Sequence, residues 1–536
     1  MTLVEAGTAD ADIEKQVQLR QTSIDQKLRE VYELQQEVAA LNSTRNSKLT
    51  VSKLPVEIVV EILLYYRDDT FKSQSDGENI YKRANRKGMH KWWLTLIGIC
   101  RHWRRIALQT PVLWSTLVSS ICLEPHALEF FLAQSVDHTL DVSIVLQSWI
   151  DQGNNALVEI FRASKRVHSL SFELEDPDDE PQALNMQTSF SSLEYLEMDG
   201  TYGEDFAHEL LNHILPTARN LRTLILRHLV VEWHHLRPYL FPTITSLSFT
   251  GAYTQPTDQQ YSIWDVLVDL PGLESLSLVD GQRYNLLSEI PPVNKKITLT
   301  NLKYLEIVGQ YGTVVPWLEL ISSRPAYQLK LLINPPRGQN VDEGWNILTD
   351  VFSYIPLPSE TFIASLSFLF RKLVVRLSFD TLPHRPLFTI TFHHFDSGPY
   401  PLGAFYKYLN QKAPNILSNV EEMTFGGPGR YGLTQVLQTQ LGQHDDDVDV
   451  TPTPNQDAIV SPKLRCMRFE QIKFEEKSRD QLTKFLEKRD RLGHRIHALS
   501  FEKCSMEITN GSQRSEDFKN WIGDKADVLK FNGELI

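Results

Sequence analysis

The stretch Leu273-Glu274-Ser275-Leu276-Ser277-Leu278 carries a pattern that recurs through most of this chain. It is apolar–x–x–Leu–x–apolar. Residues two apart on a strand lie on the same face, so Leu276 and Leu278 are expected to share one buried face. About nine segments follow the pattern, and the steps between the first six central leucines are 26, 28, 23, 29 and 29 residues. The pattern predicts a β-strand in each segment. The first six central leucines are Leu170, Leu196, Leu224, Leu247, Leu276 and Leu305.

The mean step of 27 residues falls in the range of roughly 20–29 residues that is typical of leucine-rich repeats. The intervening stretches, such as 204–215, have helical spacing. One strand and one helix cannot bury their apolar side alone, so neighbouring repeats are expected to stack into a solenoid. We therefore predict an α/β fold in which residues 118–536 form an irregular leucine-rich-repeat solenoid. Irregular turns are expected because the position that often holds Asn is occupied by Thr201, Leu229, Ala252, Gly281 and Gln310.

Two later segments depart from this period. Between about 330 and 395, apolar segments follow one another too closely for helices between them, which predicts an antiparallel hairpin or meander. Residues 439–462 are acidic and proline-rich with few large apolar side chains, which is typical of a disordered surface loop.

Residues 11–45 are predicted to form one amphipathic or coiled-coil helix, after a disordered segment 1–10. β-Branched residues at heptad position a with leucine at d favour a parallel two-stranded coil. Arg20 and Lys27 interrupt the d positions, so the alternative is an amphipathic helix that packs on its own chain, and both alternatives remain open. The a positions are Val17, Ile24, Val31 and Val38, and the apolar d positions are Ile13, Leu34 and Leu41.

Two motifs follow in order. Residues 54–63 are LPVEIVVEIL, and residues 99–114 are ICRHWRRIALQTPVLW. The sequence LPxE-I, then CRxWRxIA, then TPxLW resembles the F-box variant that is common in fungi. The resemblance covers only residues 54–117, and a polar insertion at 68–90 departs from the family pattern.

The resemblance implies a small all-α, three-helix F-box domain at residues 50–117. Such a domain binds a Skp-type linker subunit, which connects it to a cullin in a cullin–RING ubiquitin ligase, while the rest of the chain recruits a protein substrate. By motif match, the residues expected to bind the linker are Leu54, Pro55, Ile58, Ile62, Leu63, Ile99, Cys100, Trp103 and Ile106.

Substrate binding is expected on the outward face of the repeat strands, where Tyr195, Glu197, Tyr304 and Glu306 stand beside central leucines. Tyrosines anchor many protein interfaces. The sequence therefore favours a non-enzymatic substrate adaptor of an SCF-type ligase. The alternative is a leucine-rich-repeat protein-interaction scaffold without ligase function.

Other classes of function find little support in the sequence. A net charge of −13 argues against a nucleic-acid partner. No apolar run reaches the roughly 18 residues of a membrane span, no secretory signal is expected, and four scattered cysteines favour a reduced protein of the cytoplasm or nucleus. No catalytic motif, metal-ligand spacing or cofactor-binding motif is found, so neither a metal nor a cofactor is expected.

Overall fold

The structure is a computed structural model of the chain. Its residues fall into two compact units, residues 1–170 with 181–186 and residues 171–180 with 187–536. Each unit is described by itself below. Apart from isolated positions, the structure describes residues 3–72, 92–122, 124–146, 151–175, 185–202, 204–229, 233–240, 242–251, 263–280, 299–310, 328–334, 362–369, 372–379, 386–393, 417–426, 461–506 and 515–535.

The first unit begins with a single long helix, α1 (Leu3–Ser47). The helix starts before residue 11 and includes residues 3–10, for which the sequence analysis expects disorder. Once a helix is nucleated, each further residue adds a hydrogen bond at little cost, which explains this extension. Residues 13–38 are exposed, so no described part of the chain packs over this stretch of the helix.

Shorter helices follow α1 and pack on one another. Val59, Leu63, Leu96, Trp103 and Ile106 are buried between them. Indole Nε1 of Trp114 donates to the carbonyl oxygen of Ala107 at 2.8 Å, which satisfies a polar atom in this core. The helices are α2 (Val56–Lys72), α3 (Trp92–Gly98), α4 (Arg101–Leu108), α5 (Ser119–Cys122), α6 (Pro125–Gln134) and α7 (Asp151–Arg162).

Strands also occur in the first unit. Strand β1 (Thr116–Val118) pairs in parallel with β2 (Leu140–Leu146). An aromatic contact joins the turn before β1 to α6, because Trp114 packs edge-on against Phe130 with ring centroids 5.2 Å apart. The compact unit therefore continues past residue 117, where the sequence analysis places the end of the first domain.

The second unit is built on a large β-sheet. Strand β3 (Val167–Glu175) contains the border between the units. The helices of the second unit are α8 (Glu204–Ile214), α9 (Trp233–Leu236), α10 (Ile263–Val268), α11 (Glu476–Arg491) and α12 (Ser515–Ile522). Its strands are β4 (Tyr195–Tyr202), β5 (Thr223–Arg227), β6 (Ser246–Thr250), β7 (Ser275–Val279), β8 (Tyr304–Gln310), β9 (Gln328–Asn334), β10 (Phe362–Leu369), β11 (Lys372–Phe379), β12 (Pro386–His393), β13 (Val420–Gly426), β14 (Cys466–Glu470), β15 (Lys473–Phe474), β16 (Ala498–Glu502), β17 (Ser505–Met506), β18 (Val528–Phe531) and β19 (Glu534–Leu535).

Most neighbouring strands of this sheet are parallel. Strands β4 to β9 pair in chain order, and their central leucines share one register: Leu196, Leu224, Leu247, Leu276 and Leu305. These leucines are buried, as the spacing predicts. Strand β9 then pairs with β12, and β10 with β13, before the parallel order β13–β14–β16–β18 resumes.

The antiparallel meander predicted between about 330 and 395 is present. Strand β10 pairs antiparallel with β11, and β11 with β12. The acidic segment predicted to be a disordered loop at 439–462 lies outside the described residues except for its last two, as does most of the polar insertion at 68–90.

The fold class predicted from the sequence is wrong. The chain has a long N-terminal helix followed by a large, mostly parallel β-sheet, an α/β fold, rather than an all-α F-box domain followed by a leucine-rich-repeat solenoid. Strands β1 and β2 follow the short helices directly, and the meander is hydrogen-bonded into the sheet on both sides. The spacing of leucines does not reveal these pairings, because they join residues far apart in the chain.

None of the described helices is both long and apolar enough to cross a membrane.

Candidate functional site

Helix α2 has one buried and one exposed apolar side. Val59 and Leu63 point into the core, whereas Ile58 and Ile62 keep 46% and 40% of their surface exposed. Tyr65 is also exposed. Residues 58, 62 and 65 are spaced by four and three, so they form one continuous row along the helix. We call this row the α2 stripe.

The helices that pack against α2 add exposed apolar residues of their own. Leu94 of α3 is exposed, although Leu96 two positions later is buried. Ile99, between α3 and α4, is exposed as well. Contiguous exposed apolar surface is a feature of protein-docking sites, so these residues are the candidate docking surface of the unit.

The structure divides the nine expected linker-binding residues into three groups. Pro55, Ile58, Ile62 and Ile99 are exposed, and Leu54 and Cys100 are half-buried. Leu63, Trp103 and Ile106 are buried. The side chains of these three residues pack inside the unit. The sequence groups them with Ile58 and Ile62 because helical spacing alone cannot separate two adjoining apolar sides.

Cys100 has a local structural role. It is the N-cap of α4, and its sulfur accepts a hydrogen bond from the backbone N–H of Trp103 at 3.5 Å. This contact helps to satisfy one of the free N–H groups at the helix start. The half-buried side chain is therefore turned toward its own helix.

In the second unit, the outward face of the sheet carries the four expected substrate-binding residues. The strands β5 to β7 alternate buried and half-buried residues, as does β8 up to Gly309. Tyr195 and Glu197 are therefore on the same face of β4, and Tyr304 and Glu306 are on the same face of β8. All four are half-buried.

The first pair forms a hydrogen-bonded cluster. The phenol of Tyr195 donates to Oε2 of Glu197 at 2.7 Å. The hydroxyl of Ser171 donates to the same oxygen at 3.4 Å. Arg227 on β5 completes the cluster, with Nη2 lying 2.9 Å from Oε1 of Glu197.

The second pair repeats this arrangement with different side chains. The phenol of Tyr304 donates to Oε2 of Glu306 at 3.2 Å, and Ser277 donates to the same oxygen at 3.0 Å. The ammonium group of Lys330 lies 2.6 Å from the other oxygen of Glu306. Each cluster thus consists of a serine on one strand, a Tyr-x-Glu pair on the next and a cation on the strand after that. We call them the two tyrosine clusters.

The phenols in both clusters resist ionisation. Partial burial, together with the hydrogen bond to Glu197 and its negative charge, raises the pKa of Tyr195 well above its ordinary value. Partial burial and the charge and hydrogen bond of Glu306 raise the pKa of Tyr304 to about 12. Both tyrosines are therefore neutral at physiological pH, and their hydroxyl groups stay bound as donors.

Small side chains occupy β6 and β7, two of the three strands between β4 and β8. Ser246 and Ser248 on β6 are in register with Ser275 and Ser277 on β7. Neighbouring strands are about 4.8 Å apart, so β4 and β8 are separated by about 19 Å. The outward face thus has two fixed tyrosines with a band of serines between them.

Sequence reasoning found the tyrosines and glutamates but missed their cationic partners, Arg227 and Lys330. Arg227 lies after the last apolar residue of its repeat pattern. Lys330 lies at the start of the region where the leucine-repeat spacing is lost. Their pairing depends on strand register: Glu306 is directly opposite Lys330, and Glu197 is diagonal to Arg227. The sequence signal that could have indicated these ion pairs is an acidic residue and a basic residue on two predicted neighbouring strands.

No protein-family model matches the chain, and no curated protein is similar to it in sequence. Within the described residues, no group of three or more His, Cys, Asp or Glu side chains is arranged to hold a metal ion.

Proposed function

We propose that this protein is a non-enzymatic, F-box-type substrate adaptor of an SCF-type cullin–RING ubiquitin ligase, acting in the cytoplasm or nucleus. It binds a Skp-type linker subunit, and through it a cullin, by the region of α2 to α4. It binds a protein substrate by the outward face of the sheet. The motifs at 54–63 and 99–114 suggest the linker as partner.

The observation that carries this proposal is the α2 stripe. The helix packs on the core of the unit through Val59 and Leu63, whereas Ile58 and Ile62 remain partly exposed to solvent. Fully burying an isoleucine is worth about 1.5–3 kcal/mol. Covering what remains exposed on both residues would therefore supply about 1–3 kcal/mol to a complex, which reaches the scale of one interface hot spot.

The double change Ile58→Asp with Ile62→Asp should abolish linker binding. It removes the apolar contact and places two carboxylates where they would lose water without gaining a partner. We expect the Kd for a purified Skp-type linker to rise at least 100-fold, a loss of about 2.7 kcal/mol. Isothermal titration calorimetry of the full chain measures this directly.

The matched control is Val268→Asp, which changes an exposed β-branched residue of α10 in the second unit. It should bind the linker with the same Kd as wild type. Circular dichroism melts of all three proteins check that each is folded. If wild type shows no binding, the adaptor proposal fails, and if the double variant binds like wild type, the α2 stripe is not the contact.

The two tyrosine clusters support the sheet face as the substrate site. Each phenol is held by its glutamate, so a partner would not have to immobilise the ring, and pre-organised anchors bind at lower entropic cost. Each glutamate is neutralised by a cation, so the face does not repel an acidic partner by these charges. The serines between the clusters leave room for an extended segment of a substrate.

The change Tyr195→Ala with Tyr304→Ala should therefore release the substrate without affecting the linker. Glu197 and Glu306 keep their ion pairs with Arg227 and Lys330, so the sheet should remain folded. The measurement is affinity purification of wild type and variant after proteasome inhibition, with quantitative mass spectrometry of ubiquitinated proteins.

We expect a small set of ubiquitinated proteins to fall at least tenfold in the variant, while the linker is recovered equally. Thr243→Ala, which lies outside the outward strand face, is the control and should leave the set unchanged. An unchanged set in the tyrosine variant would place the substrate site elsewhere.

A further inference from the structure

Helix α1 presents an apolar row that no described residue of its own chain covers. Seven residues of the heptad positions keep between 49% and 71% of their surface exposed: Ile13, Val17, Ile24, Val31, Leu34, Val38 and Leu41. Soluble proteins rarely leave so long an apolar row in water without a binding partner. This helix therefore lacks the surface that would bury it.

The geometry of the row is that of a coiled-coil seam. In the heptad register that the sequence predicts, residues 17, 24, 31 and 38 are at position a, and residues 13, 20, 27, 34 and 41 are at position d. Val31, Leu34, Gln35 and Val38 line a shallow apolar groove on the helix. They occupy positions a, d, e and a, which together form the kind of hole that accepts one side chain from a facing helix.

Charges within the seam determine which partner and which orientation fit. Arg20 and Lys27 occupy d positions in its centre. In a parallel, in-register pair of copies, each d residue meets its own counterpart. Arg20 would then face Arg20 and Lys27 would face Lys27, and both pairs would repel.

In an antiparallel arrangement neither cation need be opposite its own counterpart. When Ile24 of one copy is opposite Lys27 of the other, Arg20 is opposite Val31. The same register places Val17 opposite Leu34 and Ile13 opposite Val38, so the outer layers of the segment 13–38 are wholly apolar, and Leu41 lies beyond it. The long stems of Arg20 and Lys27 can lie over the facing β-branched residues while their charges reach water.

This register also gives Arg20 a partner of opposite charge. Glu30 precedes Val31, so it flanks Arg20 of the second copy. The other flanking pairs in this register are Gln16 with Glu37, Ser23 with Glu30, Glu14 with Gln35 and Gln21 with Leu28, and none of them joins like charges. The seam is thus complementary to itself when the helices run in opposite directions.

We propose that α1 forms an antiparallel two-stranded coiled coil with α1 of a second copy of this chain, in the register that places Ile24 opposite Lys27. The paired segment, residues 13–38, is about 39 Å long. The inference rests on α1 alone and does not depend on the ligase role.

Sedimentation equilibrium of the full chain tests the association. Wild type should pass from a 61.7 kDa monomer to a species of twice that mass as its concentration rises. Arg20→Glu should raise the dimer dissociation constant at least tenfold, because it places like charges beside Glu30 of the second copy. Glu30→Arg should do the same, since it brings a cation beside Arg20.

Combining Arg20→Glu with Glu30→Arg tests the orientation, because it restores opposite charges only in the antiparallel register. The double variant should return to within about threefold of wild type. Arg29→Glu, which changes a residue at position f on the opposite side of the helix, is the matched control and should dimerise like wild type. Circular dichroism confirms that each variant keeps its helix.

Wild type that remains monomeric at every concentration would overturn the proposal. Weakening by Arg20→Glu without rescue by the double variant would overturn the antiparallel register, because a parallel pair places Glu30 beside Gln35 instead. A trimer or tetramer would also contradict it.

Discussion

Replacing Leu276 by aspartate should destabilise the second unit by at least about 4 kcal/mol. Leu276 is fully buried in the centre of the parallel strands, in register with Leu247 and Leu305. A carboxylate at this position would lose its water, and its neighbours on the adjacent strands, Leu247 and Leu305, are apolar. Folding must therefore either bury the charge or protonate the carboxylate, and both cost free energy. Urea unfolding followed by tryptophan fluorescence should show a much lower midpoint.

Ser248→Asp is the control for this experiment. Ser248 is on the outward face of β6, one strand away, and is in register with Ser277. A charge there keeps contact with water, so the midpoint should move by less than a quarter of the shift seen for Leu276→Asp. Equal effects of the two changes would contradict the assignment of buried and outward faces.

Replacing Arg489 by methionine should cost at least about 3 kcal/mol. Arg489 lies near the end of α11 and is only 1% exposed. Its guanidinium donates to four backbone carbonyl oxygens, at 3.0 Å to His494, 2.8 Å to Ser461, 3.3 Å to Pro462 and 2.9 Å to Leu464. Methionine preserves most of the stem but removes the charged donor from all four carbonyl groups, and the hydrogen bonds to Ser461 and Leu464 are buried.

Hydrogen exchange distinguishes this local role from a general loss of stability. Residues 461–470 and 492–498 should exchange faster in Arg489→Met, because the arginine joins the segment before β14 to the segment after α11. Arg491→Met removes an exposed arginine two residues later and should change neither exchange nor the melting temperature. If Arg489→Met melts like wild type, the carbonyl groups do not depend on this side chain.

The leucine spacing predicts the strands β4 to β8 well, because each strand carries its own signal. Leu224 and Leu226 alternate with half-buried residues, and the same holds in the neighbouring strands. The course of the sheet beyond β9 was not predictable in this way. Strand β9 pairs with β12 and not with β10, and that choice depends on contacts between segments far apart in sequence.

The candidate sites show the same limit. Helical spacing finds Ile58 and Ile62, but it also selects Leu63, which the structure buries. Strand alternation finds Tyr304 and Glu306 on one face, but the ion pair with Lys330 follows only from the register of β8 and β9. Sequence thus identifies which side of an element is chemically distinctive, whereas the neighbouring elements determine what that side touches.

The length of α1 determines how far apart the rest of the two chains would begin in the proposed dimer. In the proposed paired arrangement the symmetry point is between Asp25 and Gln26, so the Ser47 residues of the two copies are about 65 Å apart along the shared axis. The two chains leave this rod at opposite tips and not side by side.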